Sequence, residues 1–164
     1  GKEAKRAILM SLSPTQASAI MAVVNPNMWV PFDAFVGLCS AIDRTYGSGD
    51  LAMCRTLGRY AADVNLTTIY RIFYKLGSVR YIISKAGAVW SAHYDSGRAS
   101  TRDIPGGIAF IVEGFATPHR AHCLSVLGWM EQSAMISGAN VIDAREVRCR
   151  LSGETSCEFH LRYS

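Results

Sequence analysis

The sequence that decides the fold is VIDAREVRCRLSGETSCEFHLRY, residues 141–163. It contains two β-prone segments, 141–151 and 157–163, and the Ser-Gly-Glu-Thr stretch between them is a turn sequence, so we expect a β-hairpin. Immediately upstream, Pro118 opens a long helical pattern that Ser137-Gly138 closes. Before that, residues 108–115 read as a buried strand after Gly106-Gly107.

The first half of the chain is helical in character. Ser13 and Pro14, with Gln16 three residues after the serine, form the start of a helix that should run to about Val24. From Asp33 to Trp90, apolar residues recur at spacings of three and four. Helices first, then strand, helix and hairpin predict an α+β fold, with an antiparallel, twisted sheet and helices packed on one side.

Composition limits the classes of function. The 164 residues fit one domain, 1–164, and 49% are hydrophobic, which excludes a disordered chain. The net charge of +4 is small and scattered, so we expect no nucleic acid partner through this domain. No apolar run approaches the length of a membrane span, so we expect no membrane partner. Five cysteines, two of them in helical patterns (Cys39 and Cys54), are typical of a reduced, cytoplasmic protein. The start at Gly1 suggests one piece of a longer polypeptide.

The C-terminal third carries a resemblance to a known family. Its marks are Cys123, Gly128, Ser137-Gly138, residues 145–149, Gly153 and Cys157-Glu158-Phe159. This series resembles the close of 4-vinyl-reductase-like domains, which include the sensor domains of phenol-responsive activators. Trp29-Val30-Pro31 and Trp90 through Gly97 are similar to an uncharacterised myxobacterial branch of the same superfamily. The resemblance implies the fold of the vesicle-tethering TRAPP subunits, pairing through helices into a homodimer, and an apolar cavity.

The resemblance also implies a metal site. The phenol sensors hold zinc with three cysteines and one glutamate, and the matching residues here are Cys123, Glu146, Cys149 and Cys157. Three thiolates and a carboxylate would complete a tetrahedral structural zinc ion. Glu146 and Cys149 are three residues apart, so a bulge or strand end is needed to bring them together. Three alternatives remain open: small packed residues without metal, His119 or His122 in place of Glu146, or a Cys149–Cys157 disulfide.

Two further signals concern ligands. Tyr94-Asp95-Ser96-Gly97-Arg98 matches the Tyr-x-Ser-x-Arg string with which haem-based nitric oxide sensors hold the haem propionates, yet the axial histidine expected upstream is missing. Six aromatic residues either line a cavity for a small apolar ligand or fill a core. These candidate ligand-binding residues are Tyr70, Phe73, Tyr74, Trp90, Phe110 and Trp129.

No catalytic motif is present: the sequence has no nucleophile elbow, phosphate loop or His-Glu-x-x-His. We therefore expect no enzyme activity. The leading hypothesis is a bacterial sensory domain for signal transduction, which binds a small apolar ligand and acts through a dimer interface or an attached output. A ligand-free scaffolding or protein–protein interaction module is the alternative. A tetrapyrrole-related enzyme or a haem sensor is the second alternative.

Overall fold

The computed structural model describes residues 1–25, 28–68, 81 and 85–164. Its order is α1 (Lys2–Met10), α2 (Pro14–Met21), α3 (Phe32–Tyr46), α4 (Ala52–Thr68), α5 (Ala86–His93), β1 (Arg98–Ile104), β2 (Gly107–Glu113), α6 (Arg120–Ile136), β3 (Val141–Arg148) and β4 (Ser156–Tyr163). A short 3₁₀ turn, Arg150–Ser152, lies between β3 and β4. No helix among the described residues is long and apolar enough to cross a membrane.

The described chain divides into two compact units, Gly1–Cys54 and Arg55–Ser164. In the first unit, Ser13 caps α2 through the predicted capping box: its hydroxyl accepts the Gln16 backbone N–H, and the Gln16 side chain accepts the Ser13 N–H. The Gln16 amide also donates to the carbonyl of Asp33, which ties the start of α2 to α3. Cys39 and Cys54 are buried, as the helical pattern predicts.

The second unit contains the sheet, whose four strands are antiparallel in the order β1-β2-β4-β3. The predicted strand over 108–115 is observed as β2, and the predicted hairpin as β3 and β4. Residues 98–104 form β1, which lies at one edge of the sheet. The α+β class and the antiparallel sheet are therefore confirmed.

Helices α4 and α6 make a close crossing within this unit. A Cβ atom added at Gly58 would lie 2.0 Å from the carbonyl oxygen of Ser125, and one added at Gly128 would lie 1.9 Å from that of Arg55. Buried Glu131 accepts hydrogen bonds from Arg55 Nε at 2.8 Å and from Arg59 Nε at 3.0 Å. Paired glycines and an ion-pair cluster thus fix how α6, which carries much of the candidate site, lies on α4.

Candidate functional site

Four of the predicted site residues meet beside the hairpin. Cys123 lies on the first turns of α6, Glu146 near the end of β3, Cys149 just after β3 and Cys157 at the start of β4. One ligand atom from each of the four lies within 4.8 Å of the others, and the sulfur atoms of Cys123 and Cys149 are 4.0 Å apart. A register shift between Glu146 and Arg148 supplies the bulge that the spacing required.

The side chains of this cysteine cluster interact mainly with one another and with neighbouring groups of the protein. The Cys157 sulfur accepts the backbone N–H of Arg150 at 3.5 Å. A hydrogen bond from the Cys123 thiol and that backbone N–H, opposed by burial, lower the pKa of Cys157 to about 6. The same bond, with burial and the Glu146 charge, raises the pKa of Cys123. Glu146 forms an ion pair with Arg120, so its carboxylate already has a cationic partner.

An aromatic cluster adjoins these cysteines. The ring of Trp90 stacks on Tyr94 with centroids 4.2 Å apart and meets Phe115 edge-on at 5.3 Å. His122 stacks on Phe115 at 4.9 Å and meets Trp90 and Tyr94 edge-on at 5.8 and 5.0 Å. Burial, and to a smaller extent His119, lower the pKa of His122 to about 4, so the imidazole is neutral near pH 7.

This aromatic cluster encloses a cavity of only about 10 Å³, roughly the space of one water molecule. Its walls are almost entirely apolar, with the two cysteines of the adjoining cluster at one side. They are Trp90, Val112, Phe115, Pro118, His122, Cys123, Val126, Cys157 and Phe159. The cavity is therefore too small for a drug-sized ligand in the described conformation.

The six predicted ligand-binding residues do not form one site among the described residues. Trp90 and Phe110 lie together, with ring centroids 6.3 Å apart. Trp129 packs instead on a separate core cluster of Ala62 and Leu66. Tyr70, Phe73 and Tyr74 lie outside the described residues.

Sequence reasoning did not include Tyr94, Phe115 and His122 in the ligand site. They come from the end of α5, the segment after β2 and the start of α6, so no local spacing links them. The available signals were indirect: Tyr94 directly follows an apolar helical pattern, and Phe115 ends an apolar strand pattern.

The Tyr94–Arg98 string serves the same aromatic cluster. Tyr94 is one of its rings, and the carbonyl of Ser96 accepts the indole N–H of Trp90 at 2.9 Å. Arg98 is exposed in β1, where its register partner is Glu113. The string therefore closes the end of α5 onto the start of the sheet.

Comparisons with known proteins give a likeness of fold. No protein-family model matches the chain, and no curated protein matches it either. Among solved structures, it is similar to an H-NOX protein from S. oneidensis in the Fe(II)NO ligation state, with a TM-score of 0.75, 10% identity, and coverage of 100% of this chain and 90% of that one.

Two other structures give the same result. An unliganded Fe(II) H-NOX protein from K. algicida has a TM-score of 0.71 and 11% identity, covering 99% of this chain and 86% of that one. An oxygen-binding H-NOX domain related to soluble guanylate cyclases, solved as its oxygen complex, has a TM-score of 0.66 and 10% identity, covering 98% and 93%. The chain therefore has an H-NOX-like fold.

These neighbours correct two predictions. The kinship with 4-vinyl-reductase-like domains, the myxobacterial branch and the TRAPP fold is wrong, because the neighbours are H-NOX structures. The resemblance came from a cysteine-bearing hairpin, whereas the fold depends on the arrangement of all its elements.

The prediction of a zinc cofactor at Cys123, Glu146, Cys149 and Cys157 is also wrong. The solved neighbours are described in iron ligation states, and zinc has no support from them. It was carried over from the phenol sensors, whose kinship does not hold. Locally, Arg120 neutralises the Glu146 carboxylate, and the thiols hydrogen-bond to one another.

Haem, which the fold class implies, does not fit the part of the chain that the structure describes. The axial histidine expected upstream of the Tyr94–Arg98 string is missing, because the histidines of this sequence are at 93, 119, 122 and 160. Of these, His122 is buried, and its ring is packed among aromatic rings around a cavity of about 10 Å³. Among the residues that the structure describes, the cavity beside that imidazole has no room for a macrocycle.

Proposed function

We propose that this chain is a non-catalytic sensory domain that binds a small apolar ligand at the aromatic cluster of Trp90, Tyr94, Phe115 and His122. The single observation that carries the proposal is that this cluster joins α5, the segment after β2 and α6 around one apolar cavity. The H-NOX-like fold supports a sensory role, since domains of that class are sensors.

The closed cavity gives a physical route from binding to signal. A ligand larger than about 10 Å³ must move the rings of the aromatic cluster to enter. Because His122 lies on α6 and Trp90 on α5, this movement shifts two helices against the sheet. A ligand that binds the shifted arrangement more tightly changes the population of that arrangement, which is what a sensor requires.

A haem sensor is the second candidate, and one observation favours it: the solved neighbours are described in Fe(II) ligation states. The missing upstream histidine and the tight packing of His122 argue against it. A ligand-free scaffolding module is the third candidate, and the nearly filled cavity favours that one. The sensory proposal therefore needs an experiment that separates all three.

Native mass spectrometry with an absorption spectrum separates them in one preparation. A retained small organic molecule without a Soret band supports the proposal, and a Soret band with one haem per chain supports the haem sensor. Protein without any retained molecule is next titrated with benzene, a probe for dry apolar cavities. The chemical shift of the Trp90 indole N–H is then followed.

Saturable movement of that signal is expected. It should be lost in Val126→Ile, which adds a methyl group to the wall of the cavity and keeps the Trp90 reporter. Val64→Ile, which makes the same change at an exposed valine, is the matched control and retains the response. No retained molecule, together with no saturable shift, contradicts ligand sensing and leaves the scaffolding module.

The compartment and the assembly remain proposals. We place the domain in the cytoplasm because all five of its cysteines are free thiols. The homodimer was implied by a kinship that is wrong, so it stands only as a prediction. The subunit count from the same native mass spectrum tests it.

A further inference from the structure

A basic, methionine-lined groove lies between α1 and α2, in the first compact unit. We call it the α1–α2 groove, and it has a volume of about 390 Å³. Its lining combines three cations with four apolar side chains: Lys2, Lys5, Arg6, Leu9, Met10, Ala17 and Met21. The four residues at 2, 5, 6 and 9 recur at spacings of three and four, so they lie on one face of α1.

The apolar part of this groove is open to solvent. Met10 is 74% exposed and Met21 is 62% exposed. Val24 and Trp29, on the segment that follows α2, are exposed as well. Met10 and Met21 both line the groove and are left in water, which indicates a binding surface because their burial against a partner is favourable.

From this combination we propose that the α1–α2 groove docks an acidic amphipathic helix of a partner protein. A helix laid in a groove presents apolar residues to the floor and polar residues to the rim. Here the methionines offer an adaptable apolar floor, and the lysines and arginine offer a cationic rim that attracts carboxylates.

Charge identifies the partner as a different protein. The chain has a net charge of +4. None of its described helices carries more than two acidic residues. A second copy therefore has no described helix that matches the rim.

This inference goes beyond the sensory proposal. The groove belongs to residues 2–21, whereas the proposed ligand cluster belongs to residues 90–122. Loss of benzene binding and loss of helix binding are thus separate results, and either proposal can fail alone.

The test uses the whole chain and a fluorescent peptide of about 18 residues, or five helical turns, with leucines on one face and glutamates elsewhere. Binding is read from fluorescence anisotropy. The expected result is saturable binding that weakens several-fold when salt is raised to about 0.5 M. A peptide with lysine in place of every glutamate, and one with the same composition in scrambled order, should not bind.

Two double variants test the floor and the rim separately. Met10→Ser with Met21→Ser removes apolar contacts, and Lys5→Glu with Arg6→Glu reverses the rim charge. Each should raise Kd by about tenfold or more. The matched controls change exposed residues elsewhere: Met135→Ser on α6 and Arg162→Glu on β4, each expected to stay within about twofold.

Three outcomes overturn the proposal. The first is equal binding of the lysine peptide, and the second is groove variants that bind as well as the controls. The third is binding to vesicles of phosphatidylcholine with phosphatidylglycerol but not to the acidic peptide, which would assign the surface to a membrane.

Discussion

Asp43 shows how much one side chain contributes in the first unit. It is completely buried, and its carboxylate accepts the backbone N–H groups of Leu51 and Met53, each at 2.9 Å. Both donors belong to the connection from α3 to α4 and the start of α4, so Asp43 holds that connection in place. Leu51 has a φ of +70°, an unfavourable conformation for leucine that these bonds help to maintain.

We therefore expect Asp43→Ala to lower the free energy of unfolding by about 2–5 kcal/mol, because it leaves two backbone donors without an acceptor. Asp43→Asn keeps one acceptor oxygen and should cost about half as much. Urea denaturation measures both. The control is Asp50→Ala, which removes one exposed hydrogen bond to Ala52 and should cost about 1 kcal/mol or less. Equal losses at positions 43 and 50 would contradict this account.

The close crossing of α4 and α6 depends on two glycines, Gly58 and Gly128. At Gly128 a methyl group would meet the backbone carbonyl of Arg55 at 1.9 Å, so α4 and α6 must separate to accept it. Alanine gains about 1 kcal/mol over glycine in a helix, but overpacking costs about 1–3 kcal/mol and more against rigid backbone. We expect Gly128→Ala to destabilise the protein by about 2 kcal/mol.

The measurement is again urea denaturation, with Gln132→Ala as the control on the same helix. Gln132 donates one exposed hydrogen bond to Asp63, and its loss should cost under about 0.5 kcal/mol. Gly58→Ala should behave like Gly128→Ala. The double variant should lose less than the sum of the two, because helices already separated accept the second methyl group more easily. Full additivity would show that the two glycines act independently.

Within a single helix, strand or turn, the sequence predicts the features that neighbouring residues determine. The capping box at Ser13 and Gln16, the strand that became β2 and the final hairpin were all expected, because neighbouring residues determine caps, turns and apolar runs. The bulge beside Glu146 was foreseen only as a requirement of spacing. Its position follows from the pairing of β3 with β4.

What the sequence did not give was the long-range arrangement. A cysteine-marked hairpin indicated 4-vinyl-reductase-like kinship, yet the whole-chain arrangement is H-NOX-like. The aromatic cluster was missed for the same reason: Tyr94 and His122 are 28 residues apart in sequence and meet only through the packing of α5 and α6. Spacing within one element cannot encode such a contact.

The stability of the whole molecule should depend on pH through His122. Its pKa falls from 6.5 to about 4 on folding. Between those values the unfolded chain therefore binds more protons than the folded one, and stability is lost as pH falls from 6.5 to about 4. This change in pKa corresponds to at most about 3 kcal/mol. The carboxylates of Glu131 and Glu158, whose pKa values are lowered, contribute to the loss of stability as pH falls below their ordinary value of 4.5.

Replacing the imidazole with a ring that cannot titrate should remove this dependence. His122→Phe keeps an aromatic ring against Phe115, so we expect a smaller loss of stability between pH 6.5 and 4.5. The part due to the Cys157 thiol, whose pKa is lowered to about 6, should remain in the upper half of that range. Urea denaturation at several pH values measures the slope. His93→Phe replaces an exposed histidine and should leave the wild-type slope in place. An unchanged slope in His122→Phe would assign the acid sensitivity to other groups.

The order of the strands has a consequence for the behaviour of the protein at high concentration. With β2 and β4 in the centre of the described sheet, its two edge strands, β1 and β3, offer unpaired backbone to a neighbouring molecule. Three of the seven residues of β1 are charged, and β3 is interrupted by register shifts after Val141 and after Glu146. Edge strands that are charged or interrupted in this way are poor templates for amyloid-like stacking. We therefore expect concentrated solutions of the protein to remain free of aggregates. Deleting a bulge from β3 is the change that we expect to promote fibril formation.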